Sequence, residues 1–145
     1  MKTGAETRQR QLSYFEGTWE TTGQILSGED DGKPIHGLDT YEWLPGAHFL
    51  MHTTDVLIGE KRQHVVEVIG YDEEAKMILG RSFGGNGNFE EMSFDLRGDE
   101  VLINGATMRF NGRFSEDYSH ITGIWERATL NGWSAVMEIH LIKRP

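Results

Sequence analysis

From Gly17 to the end of the chain, apolar and polar side chains alternate with a period of two, interrupted by short polar stretches. Such alternation puts successive residues on opposite faces of a strand. It predicts strands near 18–26, 36–44, 48–58, 62–71, 76–83, 88–97, 100–105, 107–115, 119–129 and 133–143. The segments between them read LPGA, IGEK, YDEEAK, GGNGN, RGDE, NGAT, SEDYS and LNGW. Each carries the Gly, Asn, Asp or Pro of a hairpin turn. A longer connection, SGEDDGKP, stands at 27–34. Ahead of the strands, Leu12 and Phe15 lie three apart and Thr7 offers a cap, predicting one short helix that ends at Glu16.

Short connections force consecutive strands to be antiparallel neighbours, because a parallel crossover needs about a dozen residues or more. An open meander of this length leaves two unpaired edges. The chain is therefore expected to close into an all-β, antiparallel, up-and-down barrel of about ten strands, a single domain over 1–145. A sandwich is the structural alternative, but it calls for longer crossing connections, and none follows residue 35. Eight strands make a barrel that side chains just fill, so about ten should enclose a cavity.

The apolar sets should face that interior. On the last strand they are Trp133, Ala135, Met137, Ile139 and Leu141. On the sixth they are Met92, Phe94 and Leu96, and on the eighth Met108, Phe110 and Phe114. Charge on such a face is informative, since a buried charge needs a partner. Arg81 shares a face with Met77, Leu79 and Phe83. Arg127 shares one with Ile121 and Trp125. Asp55 follows Phe49, Met51 and Thr53, and Glu42 lies with Thr40 and Leu44. For Arg81 and Arg127 two readings stand: an ion pair or rim position with the guanidinium in solvent, or a fork of donors holding the polar head of a ligand. The second reading makes Arg81, Arg127, Trp125, Asp55 and Phe83 the candidate ligand-binding residues. The ligand would be small and mostly apolar, with an anionic or polar head.

Composition narrows the partners. Acidic residues number 23 against 14 basic ones, a formal charge of −9. That field repels phosphate backbones and no basic cluster offsets it, so no nucleic-acid partner is expected. No stretch approaches the ~18 apolar residues of a membrane span. The opening MKTGAETRQRQ has no apolar run after its charges, as a secretory signal would. The chain has no cysteine, which suits a reducing compartment and removes thiolate ligands; a cytoplasmic location is expected. His48 and His52 share a strand face, but four residues at ~3.3 Å each put them ~13 Å apart, too far for one ion. No metal and no cofactor is expected. GGNGNF has no helix after it, so its Gly-x-Gly is a hairpin turn and not a dinucleotide loop. Tyr41 and Trp43 alternate along YEWLPG, which is either sheet packing or, if both are exposed, a homodimer contact.

The segment FEGTWE, a short helix followed by Gly17-x-Trp19 at the start of the first strand, resembles the calycins: lipocalins, fatty-acid-binding proteins, avidins and ten-stranded bacterial relatives. FEGTWE together with YEWLPGAHFL and IGYDEEAK looks like one bacterial lipocalin-like family, domain of unknown function fifteen seventy-nine. The resemblance implies that Trp19 lies across the closed end of the barrel beneath a basic residue of the last strand. Lys143, which shares the parity of Leu141 and Ile139, is the best match, with Arg144 second. Gly17, Trp19 and Lys143 would then be structural. Two alternatives come with the scaffold. One is an enzyme such as a decarboxylase, isomerase or cyclase, using Glu67 or Asp55 with an arginine. The other is haem binding as in barrels resembling nitrobindin, which use a late histidine, although His140 alternates with the apolar set and should face outward. A solid barrel that binds a protein on its outer face is a third.

Overall fold

A computed structural model of the chain describes residues 4–145, apart from the side chain of Ala5. Residues 1–3, the start of the segment read for a secretory signal, lie outside it. Helix α1 (Gly4–Leu12) leads into a single 3-10 turn at Ser13–Phe15. Thr7 sits inside this helix and is not its cap. Ten strands follow: β1 (Gly17–Ile25), β2 (Pro34–Trp43), β3 (Phe49–Ile58), β4 (Lys61–Asp72), β5 (Met77–Gly84), β6 (Phe89–Arg97), β7 (Glu100–Asn104), β8 (Met108–Phe114), β9 (His120–Thr129) and β10 (Gly132–Lys143). Each pairs antiparallel with its chain neighbours and β10 returns to β1, so the barrel closes and no edge is left.

The helix plugs one end. Leu12 and Phe15 are buried there with Trp19, which is fully buried. The Trp19 indole Nε1–H donates to the Phe15 carbonyl at 2.8 Å. Trp19 and Lys143 are register partners across β1 and β10. That pairing brings the Lys143 ammonium over the indole, 4.8 Å from the ring centroid, while it also donates to the Tyr14 carbonyl at 3.0 Å. Gly17, at φ +133, lies under the lysine's stem, within 3.4 Å of where a Cβ would stand. Arg144 pairs with Glu20 instead, at 3.2 Å.

Inward faces follow the alternation on β6 and β8, where Phe94, Leu96, Phe110 and Phe114 are buried. Gly112 and Gly123 are register partners, and a Cβ on either would stand 2.3 or 2.4 Å from the Phe110 ring. The two bare positions give the ring its seat, 5.2 Å from Trp125.

On β10 the expected inward set is corrected at one end. Ala135 pairs with Glu126 but Met137 with Trp125, so a β-bulge at Val136 reverses the parity. Met137, Ile139 and Leu141 point in; Trp133 and Ala135 do not. Trp133 lies on the outer wall with the Arg109 guanidinium 4.3 Å over its ring.

The larger correction concerns β2, β3 and β5. Ile35, Asp39 and Tyr41 face inward on β2, and Leu50 and Val56 on β3. Ile78 is the inward apolar residue of β5. The opposite parity, which holds Glu42, Phe49, Asp55, Arg81 and Phe83, is the outer wall, and all five are exposed. These strands carry apolar residues on both faces, so alternation alone leaves their phase open. Tyr41 is buried and Trp43 packs against the core, so of the two readings of this pair the sheet-packing one describes it.

Candidate ligand-binding cavity

Six of the polar side chains that line the cavity cluster on four adjacent strands: Thr21 of β1, Asp39 and Tyr41 of β2, His52 and Thr54 of β3, and Glu67 of β4. Register places them together. His52 stands directly opposite Tyr41 on one side and Glu67 on the other, and Thr54 stands opposite Asp39. The His52 ring is bound at both nitrogens. Nε2 is 2.7 Å from Asp39 Oδ1 and Nδ1 is 2.9 Å from Glu67 Oε1. Thr54 donates to the same Asp39 oxygen at 2.7 Å, and Thr21 donates to Asp39 Oδ2. The Tyr41 ring lies flat on the imidazole, 4.0 Å between centroids and 7° between planes.

This arrangement sets charge states. Burial works against a charged His52, but its hydrogen bonds to Asp39 and Glu67, and their charges, raise its pKa from 6.5 to about 9. The ring is then an imidazolium at neutral pH, donating from both nitrogens. Burial works to raise the Asp39 carboxyl, but its contacts with His52 and the two threonine hydroxyls hold it below the usual value of 3.8. Burial, then the charges of Asp39 and Glu67, push the Tyr41 hydroxyl well above its usual range, so it stays protonated.

Gln63 of β4 and Glu90 of β6, both exposed, also line the cavity, and the rest of the lining is apolar, including Val101, Ile103, Phe110, Trp125, Met137 and Ile139. The enclosed space is about 250 Å³. It continues past His52, Glu67, Met92 and Trp125 into a mouth region of about 770 Å³ among the β3–β4 and β5–β6 turns. Among the described residues, every enclosed side-chain nitrogen or oxygen has a hydrogen-bond partner. The Tyr41 hydroxyl and Glu67 Oε2 have no such partner and are open to the cavity.

Of the residues singled out from sequence, Trp125 lines this cavity. Arg81 does not: its guanidinium lies on the outer wall, 3.0 Å from Glu91 and 3.9 Å from Asp72. Asp55 is also outside, held by both nitrogens of an Arg62 fork at 2.9 and 3.0 Å. Phe83 is 57% exposed and stacks on Phe89. Arg127 is exposed at the far end of β9 and is not part of the lining. Among the described residues no arginine lines the enclosed part, so the interior carboxyl and arginine of the enzyme alternative are not brought together there. Glu67 is inside and Asp55 is not. His140 lies on the outer face with Nε2 2.8 Å from Glu138. Sequence reasoning missed Asp39, His52 and the two threonines. The available signal was parity with Ile35 on β2 and with Leu50 and Val56 on β3.

Two solved structures share this architecture. The crystal structure of Rv2717c from M. tuberculosis matches 100% of this chain and 99% of its own, with a TM-score of 0.68 at 12% identity. The zebrafish ileal bile acid-binding protein, in complex with cholic acid, matches 90% of this chain and 99% of its own, with a TM-score of 0.56 at 11% identity. At these identities the likeness is one of fold, and the fold is calycin-like. No family model and no curated protein matches the sequence, so the narrower resemblance to family fifteen seventy-nine gains no support. Among the described residues no helix is long and apolar enough to cross a membrane.

Proposed function

We propose that the barrel binds a small, mostly apolar molecule with a polar head inside its cavity. The observation that carries this reading is the enclosed space of about 250 Å³, apolar over most of its wall and polar at the His52 cluster. Ligand sites are typically apolar concavities with a few convergent polar groups. A protein of the same fold, the zebrafish bile acid-binding protein, is seen with cholic acid. At roughly 30 Å³ per water-sized unit the enclosed part holds about eight non-hydrogen atoms, and a longer ligand extends into the mouth. The head group meets the His52 cluster, not Arg81 or Arg127.

The test is a titration with octan-1-ol followed by tryptophan fluorescence. The parent should give a saturable change that is largely lost in Trp125→Phe, because Trp125 lines the cavity. Arg81→Met should bind as the parent does, since Arg81 is on the outer wall. A response that is linear and never saturates contradicts the proposal.

A further inference from the structure

The head-group chemistry can be taken further, on the basis of the cavity-binding reading above. Each polar atom of the cluster is either committed or open, and the two sets differ in kind. Both His52 nitrogens are spent on Asp39 and Glu67. Both Asp39 oxygens are spent on His52, Thr54 and Thr21. Those two hydroxyl hydrogens are committed to Asp39 in turn. What stays open is Glu67 Oε2 and the Tyr41 hydroxyl. Glu67 as a whole is 9% exposed and Tyr41 is 8% exposed.

In the inner cavity a carboxylate head would therefore find no free cationic donor; Lys61 lines only the mouth. It would enter a space that already holds the buried carboxyls of Asp39 and Glu67, with the exposed Glu90 also in the lining, against one imidazole, where like charges cannot all stay ionised at low cost. A head that donates hydrogen bonds and carries positive charge finds the reverse. Glu67 offers an unspent oxygen, and the lining across the cavity includes Trp125, Phe110, Met108 and Met137. Aromatic faces attract ammonium groups by about 0.5–2 kcal/mol.

We propose that the cavity selects primary amines with a short apolar or aromatic tail, the ammonium accepted by Glu67, over carboxylates with the same tail. The selectivity is opposite in sign to the one that an interior arginine would impose.

The experiment holds the tail constant and changes the head. Octylamine, octan-1-ol and octanoate are titrated by calorimetry at neutral pH. Octylamine should bind at least tenfold more tightly than octanoate, with octan-1-ol between them; tenfold is about 1.4 kcal/mol. If octan-1-ol binds and octanoate binds as tightly as octylamine or more so, the head-group assignment is overturned while cavity binding stands. If none of the three binds, both proposals fall. Glu67→Gln keeps an acceptor for His52 Nδ1 but removes the charge, and should bring the octylamine-to-octanol affinity ratio close to one. An undiminished ratio in a variant with an unchanged near-ultraviolet circular dichroism spectrum also overturns the assignment. Should Glu67→Gln fail to fold, the three-ligand series on the parent still decides.

Discussion

Raising the pH should destabilise the protein through one imidazole. The His52 pKa rises from the ordinary 6.5 of a histidine to about 9 in the barrel. At 1.36 kcal/mol for each tenfold change in proton affinity, that rise amounts to about 3 kcal/mol of stability tied to the proton. Because the folded value is the higher one, the contribution is complete below 6.5. It declines as pH rises from there and is gone once pH has passed about 9. Asp39 limits the other side. Its folded pKa is depressed, so its contribution is present above 3.8 and is lost as pH falls through the lower folded value. About 3 kcal/mol is a large share of the 5–15 kcal/mol typical of a domain. The assay has two parts: urea unfolding on either side of the interval, and nuclear magnetic resonance titration of the histidine ring protons. The His52 signal, assigned by its loss in His52→Gln, should titrate near 9. That variant should itself be destabilised by about 3–5 kcal/mol, the cost of leaving buried charges without their partner. A His52 midpoint at or below 6.5, or stability that stays flat across the interval, refutes the reasoning.

Two further substitutions probe the scaffold. Trp19→Ala removes a fully buried indole from the plugged end and should cost about 3–5 kcal/mol in urea unfolding; a loss under about 1 kcal/mol contradicts the packing described for Lys143 and Phe15. Gly80→Ala places a Cβ 2.5 Å from Glu67 Oε2 and 2.7 Å from the Phe94 ring. It should displace the Glu67 carboxyl and lower the His52 midpoint in the same resonance titration, and an unmoved midpoint would count against Glu67 as the imidazole's second partner.

The fold was legible because the turns are short. A chain whose hairpins are marked by GGNGN, RGDE and LNGW has few topologies open to it, and closure follows from the need to pair the edges. Phase within each strand was legible where one face is plainly polar. On β8, Arg109, Asn111 and Arg113 oppose Met108, Phe110 and Phe114, and the inward set is unambiguous. On β3 both faces hold apolar residues, with Phe49 and Met51 against Leu50 and Val56. The inward face also carries His52 and Thr54. Here a buried polar cluster inverts the contrast that alternation depends on. Asp39, His52 and Glu67 come from three strands, so their meeting depends on register across two hairpins, which local sequence does not encode. The same limit applies to the bulge at Val136, whose carbonyl accepts from Leu26 across the barrel wall and turns Trp133 outward.

Methionine methyl resonances offer the most direct test that a ligand enters the barrel. Met92, Met108 and Met137 line the cavity, while Met51 and Met77 belong to the outer parity of β3 and β5; Met1 lies outside the described residues. In a carbon-13 methionine-methyl spectrum, saturation with octylamine should shift the three cavity signals and leave those of Met51 and Met77 in place. Shifts confined to the outer pair, or no shift at any of the five at saturating octylamine, would contradict binding inside the barrel.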